Sequence, residues 1–543
     1  MRKILFFSPY YTIIDWAKNS FFLRNKIFDN SDVRTIDCNS ILNKNCVAIM
    51  AHSNKFSKDK ICKRCISNKN YFSNKNKSFT IENYLNFNDK KKINIILKKI
   101  SKKNFLSFKY QGFAVGKISA HENFIKFKKE NFELNSSEFN QLLSSIENIL
   151  INIFALNKIT KEFIPDILVT DNGHYSLSRL YVEYFKKLNC KTYTFDNSPN
   201  NSIRNNDIHI YKNSTFEGQQ YIKKKYKQIL FNQKIFNEGI DQCLNHFRYA
   251  FSSKALKNYS KKFDKSKFDV RKYFKIKKNQ KIILLTTSSW DEVIGTALLY
   301  YKNPRKYMLY SQIEAIKKAI KFVEINKKYF LIIRQHPRDA LNKNSDVTKL
   351  LNNLKNLPKN IILNTPKDKI SIYNILKETN MVLNSWSSVG LEASILGIPV
   401  INLTNYFVHY PNFTKYEYNY LTNQQKKKFK LSKKQILNIY KFIYTYYYLI
   451  NININKKQPI ILDKFLRLTD KLFLFINLPS IRKFFLKYNN LDRSKINDLQ
   501  KSFDNYDEII FLKKNVTKNK KFLKFYDKII YKNYKKIKSE IIN

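Results

Sequence analysis

The chain has 543 residues, long enough for two or three domains with their own cores. Lys and Arg number 100 against 42 Asp and Glu, a formal net charge of +58, which taken alone points to nucleic acid or an anionic membrane face. The lysines are scattered along the whole chain beside heavy use of Asn, Ile, Phe and Tyr, with only 8 Gly and 11 Pro, the set that A- and T-rich codons supply. No RNP, KH-type GxxG or zinc-finger helix pattern accompanies them, so nucleic acid is disfavoured as a partner and attraction to an anionic membrane surface is retained.

Lys3 to Ser8 reads as a first strand of the doubly wound kind, ended by Pro9. No Gly-rich loop follows, which argues against a dinucleotide fingerprint and a hydride-transfer enzyme. Only four apolar residues separate Met1-Arg2-Lys3 from Ser8, so no secretion signal is expected. Asp15 to Lys26 reads as a helix and Val33 to Asp37 as a second strand.

Cys38, Cys46, Cys62 and Cys65 follow in the spacing C-x7-C-x15-C-x2-C, with His52 between them. In a cytosolic setting four thiols read as metal ligands sooner than as disulfides, and the Cys62/Cys65 knuckle suits tetrahedral zinc. Two readings stand side by side here: a structural zinc stapling a loop, and free buried or surface thiols. Asn68 to Lys103 reads as an irregular excursion with one helix, and Asn135 to Asn157 as a long amphipathic helix.

Asp166 to Thr170 is the next strand, and it runs into Asp171-Asn172-Gly173-His174 and a helix from Ser176 to Leu188. A polar turn at a strand's carboxyl end is where ligands meet an open α/β sheet, and it is equally an ordinary helix-entry turn. Thr192 to Phe195 continues the sheet, and Asn213 to Lys262 reads as helical. Lys275 to Asn279 is a charged break before Lys281 to Thr287, where the strand-helix rhythm restarts. Ser288, Ser289, Asp291 and Glu292 then stand where a phosphate or a sugar hydroxyl could be met.

Two stretches carry the strongest chemistry. Tyr329 to Asp339 (YFLIIRQHPRD) is a buried-type strand ending in Arg334, His336 and Pro337; Met381 to Leu403 (MVLNSWSSVGLEASILGIPVINL) reads as strand, turn, helix and strand. Ser387, Ser388 and Gly390 would offer hydroxyls and backbone N–H groups to a diphosphate, and Glu392 would accept from a ribose diol. Beyond Leu403, residues 424–543 read as a helical, Lys- and aromatic-rich extension; the apolar run Tyr440 to Ile454 is too short and too interrupted to cross a bilayer.

The pattern RxHP followed by SxSSxGxEAxxxGxPV resembles the C-terminal domain of GT-B glycosyltransferases of the capsule-polysaccharide-synthesis kind, related at motif level to bacterial Kdo and sialic-acid transferases and to teichoic-acid polymerases. Leu284 to Glu292 and Asp171 to Ser198 resemble two further segments of that family, with His174 standing where the family has Arg. The resemblance implies an α/β, GT-B-like fold: two Rossmann-like doubly wound domains, 1–274 on the acceptor side with the cysteine cluster as a candidate insertion and 275–423 for the nucleotide-sugar, then a helical C-terminal extension at 424–543. It implies a glycosyltransferase that needs no metal for catalysis and moves a sugar, from a cytidine nucleotide by preference, to a surface or capsular polysaccharide or its lipid-linked primer. In that scheme His336 and Arg334 serve the leaving phosphate with Ser288, Ser289, Ser387, Ser388 and Gly390, and Glu392 holds the ribose. Asp171 is the first choice for the base, with Asn172, His174, Asp291 and Glu292 as further candidates. A cytoplasmic location, peripheral on the inner membrane face at most, completes the expectation. A UDP-GlcNAc 2-epimerase-like enzyme and a non-catalytic basic protein on membrane or nucleic acid are the competing readings.

Overall fold

The structure is a computed structural model that describes residues 1–72, 78–128, 130, 132–197, 207–228, 268–340, 342, 345–354, 356–368, 370–403, 410–411, 413, 431–446 and 451–453. Contacts divide the chain into two units. Among the described residues the first holds 1–127, 132–218 and 451–453, and the second holds 128, 130, 219–228 and 268–446.

The first unit is built on β1 (Lys3–Phe7), β2 (Asp32–Asp37), β3 (Ser78–Thr80), β4 (Ile167–Asp171), β5 (Lys191–Asn197) and β6 (Asp207–Lys212), with β12 (Asn451–Asn453) at one edge. Their order is β12-β6-β5-β4-β1-β2-β3, parallel from β5 to β3 and antiparallel at β6 and β12. Ile4, Leu5, Phe6 and Phe7 are buried, as are all five residues of β4, because central parallel strands are covered on both faces. β3 and β6 are short or polar enough to lack a clear period, and neither is expected from the sequence.

Four helices of this unit matter below: α1 (Ile14–Phe22), α2 (Ala120–Phe127), α3 (Ser136–Glu162) and α4 (Ser176–Lys187). A π-turn over Leu23–Ile27 continues α1. α3 starts at a capping box, in which Asn135 Oδ1 accepts from the Glu138 N–H at 2.9 Å and the Glu138 carboxylate accepts from the Asn135 N–H at 2.8 Å. By length and hydropathy α3 could cross a membrane, yet 67% of its most apolar stretch is buried inside the protein. Its Asn152 accepts from the Tyr181 hydroxyl at 2.9 Å and its Lys158 meets Asp89, so it packs as a core helix with polar partners inside the unit.

The second unit repeats the plan with β7 (Lys281–Thr286), β8 (Tyr329–Arg334), β9 (Ile361–Asn364), β10 (Thr379–Asn384) and β11 (Val400–Asn402). All five are parallel, in the order β11-β10-β7-β8-β9. The order reverses between β7 and β10, which makes the crevice beyond their carboxyl ends the natural ligand position of such a sheet. α5 (Pro304–Ile325), α6 (Ile372–Glu378), α7 (Val389–Ile395) and α8 (Lys433–Tyr444) pack around it. The expected α/β class with two doubly wound units is what the two sheets show. The contact boundary falls at Gly218/Gln219, well before 274/275, and the described part of the expected extension contributes α8 to the second unit and β12 to the first. Residues 229–267 and 454–543, Cys243 among them, lie outside the described residues.

Asn135→Ala should cost α3 about 1 kcal/mol of local stability. Amide hydrogen exchange would register this as roughly fivefold faster exchange in the first turn of α3, with the rest of the unit unchanged.

Candidate functional site

In the second unit a cavity of about 280 Å³ opens at the carboxyl ends of β7, β8 and β10. Thr286 and Thr287 line it from the end of β7, Arg334 to Pro337 from the end of β8 and the turn after it, Ile372 and Tyr373 from α6, Ser387 and Ser388 from the turn after β10, and Val389 and Glu392 from α7, with Glu292 on its wall. Thus Arg334, His336, Ser387, Ser388 and Glu392, singled out in separate stretches of sequence, meet in one cavity.

β8 ends at Arg334, and Pro337 opens a short helix, Pro337–Ala340, so His336 lies in the turn between them. The Thr287 hydroxyl accepts the His336 N–H at 2.9 Å, which ties this turn to the end of β7. Burial lowers the His336 pKa to about 4, with Asp291 opposing and Arg338 and Arg334 adding to the fall, so the imidazole is neutral at physiological pH. Its buried Nδ1 has no hydrogen-bond partner among the described residues. Arg334 is itself buried and its guanidinium donates to Asn364 Oδ1. Burial lowers its pKa while Asp368 pulls the other way.

The turn after β10 is held from below. The Thr286 hydroxyl donates to Asn384 Oδ1 at 2.7 Å, and Asn384 Nδ2 donates to the Tyr410 hydroxyl at 2.6 Å, which in turn donates to the Ser387 carbonyl at 3.3 Å. Gly390 sits against this lock: a Cβ there would lie 1.8 Å from the Tyr410 hydroxyl oxygen and 2.8 Å from Asn384 Cγ. Glycine is therefore demanded by close approach, not by its φ. The Ser387 hydroxyl accepts from the Val389 N–H at 3.3 Å, whereas the Ser388 side chain makes no capping bond. α7 has only seven residues, so the hydroxyls and the turn carry more of the polar chemistry than a helix dipole would. Glu392 accepts from Tyr373, whose pKa is raised well above its ordinary value by burial first and by Glu392 second.

Ser288 and Ser289 do not reach the cavity wall. Ser288 Oγ accepts from the Trp386 N–H at 3.2 Å and its backbone is gripped by Gln312, while Ser289 donates to Asp291 Oδ1. Both serines bond to neighbouring loops. Asp291 is buried and accepts twice from Arg338, at 3.1 and 2.9 Å. Glu292 meets the same guanidinium at 3.4 Å. Burial raises the Glu292 pKa to about 7, against the pull of Arg338 and with the help of Asp291 and Asp339.

In the first unit Asp171 is fully buried at the end of β4. Ser178 donates to its Oδ2 at 2.9 Å, its Oδ1 has no partner among the described residues, and burial raises its pKa to about 7. Asn172 has φ 41°; its Oδ1 accepts the His174 N–H at 3.1 Å and its Nδ2 donates to Asp196 at 2.8 Å. The motif is thus built as an Asx turn into α4. The His174 ring lies 5.8 Å from His121, and Glu122 accepts the Ser176 N–H at 3.0 Å while burial raises its pKa to about 7. Arg179 is spent on Glu183 and Glu217.

Cys38, Cys46, Cys62 and Cys65 all line a second cavity of about 240 Å³ beyond β1 and β2, together with Tyr10, Tyr11, Asp37 and Lys69. Burial pushes the Cys38 thiol up to about 11 and the Cys46 thiol up to about 12. Cys46 accepts from the Ile49 N–H and Cys65 donates to the Pro9 carbonyl. Among the described residues no three of His, Cys, Asp or Glu stand together so as to hold a metal ion, so this arrangement does not fit a zinc ligand set.

Sequence reading missed Tyr373, Thr287, Asn384 and Tyr410. Tyr373 lies in an ordinary amphipathic helix and Tyr410 beyond the motif, so neither carried a signal; Asn384, polar at the end of an apolar strand, did.

No protein-family model matches the chain, and no curated protein sequence matches it. Among solved structures it is similar to the KpsC beta Kdo 2,4 transferase of Thermosulfurimonas dismutans, at 12% identity and TM-score 0.34 over 53% of this chain and 81% of that one. It is similar too to the UDP-GlcNAc 2-epimerase of Methanocaldococcus jannaschii in complex with UDP-GlcNAc and UDP, at 13% identity and TM-score 0.26 over 82% of this chain and 100% of that one. The glycotransferase of kitacinnamycin is matched at 9% identity and TM-score 0.20, over 94% of this chain and 99% of that one. Likenesses this distant carry no argument about residues or activity, which stand on the geometry of this chain alone.

Gly390→Ala should lower the melting temperature, because the added methyl must displace Tyr410. Tyr410→Phe in the same chain removes the clashing oxygen and should restore part of the loss, a non-additive pair readable in a double-mutant cycle.

A second prediction concerns pH. Asp171 and Glu122 have folded pKa values of about 7, above their ordinary values of 3.8 and 4.5. The folded state therefore binds protons that the unfolded state has released, and stability is lost as pH rises through about 4 to 7. The Asp171 share is on the order of 4 kcal/mol at most, at roughly 1.4 kcal/mol per pH unit. Melting temperature against pH should fall over that window in the wild type and fall less in Asp171→Asn.

Proposed function

We propose that the chain is a glycosyltransferase of GT-B type that binds a nucleotide-sugar in the second-unit cavity and passes the sugar to a surface or capsular polysaccharide or its lipid-linked primer. The observation that carries this is the meeting of His336, Ser387, Ser388 and Glu392 in one cavity at the switch point of a parallel sheet. A buried imidazole with an unpartnered nitrogen, two serines at a tight turn and a carboxylate braced by a tyrosine are the donors and acceptor that a phosphate and a ribose diol require.

Transfer breaks the bond between the anomeric carbon and the phosphate oxygen as an acceptor hydroxyl attacks. Neutral His336, holding its proton on one ring nitrogen, donates to the phosphate as negative charge builds on it, beside the serine hydroxyls. Glu392 fixes the ribose so that the phosphate falls within their reach. In this reading no catalytic metal is assigned; Asp171, the first choice of base from the sequence, is fully buried in the first unit. A cytidine nucleotide is the preferred donor. A net charge of +58 supports a cytoplasmic enzyme drawn to an anionic inner-membrane face or an anionic polymer.

The test is a thermal-shift screen of the full chain against CMP, CDP, UDP, GDP and ADP, followed by transfer assays with the sugar donor of the base that stabilises most. A pyrimidine nucleotide should raise the midpoint. His336→Ala should lower transfer by on the order of a hundredfold or more. Conversion of UDP-GlcNAc with no acceptor present would instead make the protein an epimerase, and stabilisation only by anionic vesicles or oligonucleotides would make it a binding protein.

A further inference from the structure

The cavity of the second unit contains a carboxyl group that phosphate recognition alone would not place there. Glu292 forms part of its wall, facing the same space as His336, Ser387 and Ser388. The nearest guanidinium, Arg338, is held by two bonds to the buried Asp291 and touches Glu292 at 3.4 Å. Arg334 lines the cavity too, with its guanidinium donating to Asn364. On the far side Glu392 is engaged by Tyr373. An ionised Glu292, 34% exposed and touching Arg338, would face a diphosphate across a cavity of about 280 Å³, and like charges so close disfavour each other's ionised form.

Resting on the nucleotide-site reading above, we propose that Glu292 enters the complex as a neutral carboxylic acid and donates its proton in a hydrogen bond to a phosphate oxygen of a nucleoside diphosphate, so that ligand binding is coupled to proton uptake. Glu292 is then a donor to the leaving phosphate and not the base for the acceptor. The proton comes from solvent when Glu292 is ionised beforehand, and it stays on the carboxyl, shared with the phosphate; no covalent bond changes.

The groups around Glu292 leave a clean window in which to see this. Its own pKa is about 7, set by burial against Arg338, with Asp291 and Asp339 raising it. Asp339 titrates about a unit lower, at about 6, and is held by Ser345 and Thr348. His336 is already neutral well below that, at about 4. Between pH 6.5 and 8 Glu292 is therefore the cavity group that changes charge.

The experiment measures the dissociation constant of UDP and of CDP by calorimetry at pH 6.5, 7.2 and 8.0, without divalent cations, for the wild type and Glu292→Gln. The nucleotide's own terminal phosphate titrates alike with both proteins, so the difference between them isolates Glu292. The wild type should weaken relative to Glu292→Gln by about tenfold from pH 6.5 to 8, because a glutamine amide donates at every pH. Melting temperatures without ligand check that the variant is folded. Equal pH dependence in the two proteins overturns the proposal while leaving the nucleotide site standing. Affinity that appears only with Mg²⁺ and grows with pH overturns it too, since the ionised carboxylate would then be serving a cation. No nucleotide binding at any pH overturns both this proposal and the reading on which it rests.

Discussion

Asn384 is the constraint on which the candidate site depends. Sitting at the last position of β10, it accepts from Thr286 at the end of β7 and donates to Tyr410 beyond β11, so one buried amide joins the two strands at which the sheet order reverses to the segment that underpins the next turn. Fully buried amides are tolerated only when satisfied, and this one uses both its oxygen and its nitrogen. The tyrosine it positions fills the space under Gly390 and grips the Ser387 carbonyl. Ser387 and Ser388 thus stand on a braced turn with Glu392 in the first turns of α7, and the Thr287 bond to the His336 N–H ties the neighbouring loop to the end of β7.

Burial then sets the chemistry. Burial lowers the His336 pKa to about 4, and partial burial against the pull of Arg338 raises that of the 34% exposed Glu292 to about 7. Arg338, the cation closest to Glu292, is committed to Asp291. The cavity therefore offers mostly neutral donors, which suits a site where charge must be stabilised as it develops and the product must still leave. In the first unit the same force acts on Asp171 and Glu122, each raised to about 7 at the carboxyl edge of its sheet.

The central strands were legible in the sequence because parallel strands covered on both faces must be nearly all apolar: KILFF, ILV before Thr170, KIILLT and YFLII stand out and form β1, β4, β7 and β8. β3, β6 and β12 did not stand out, since edge or short strands are half-covered and carry Ser, Asp, Asn and Lys. The motif residues His336, Ser387, Ser388 and Glu392 were found from their place at strand ends. Ser288 and Ser289 share that place, yet their hydroxyls turn inward to Trp386 and Asp291, a choice made by packing that no local pattern records. Tyr373 and Tyr410 escaped for the opposite reason: their roles arise from long-range contacts of residues that look like core. The cysteine spacing suggested ligands, and the fold gathers the four thiols around one cavity without bringing three into a coordinating group among the described residues.

The central claim, that the second-unit cavity is the nucleotide site, is tested most directly by amide hydrogen exchange of the full chain with and without a saturating pyrimidine nucleotide. The account predicts protection concentrated at residues 334–337 and 385–392. Protection absent there and confined to residues 171–178 of the first unit would contradict it.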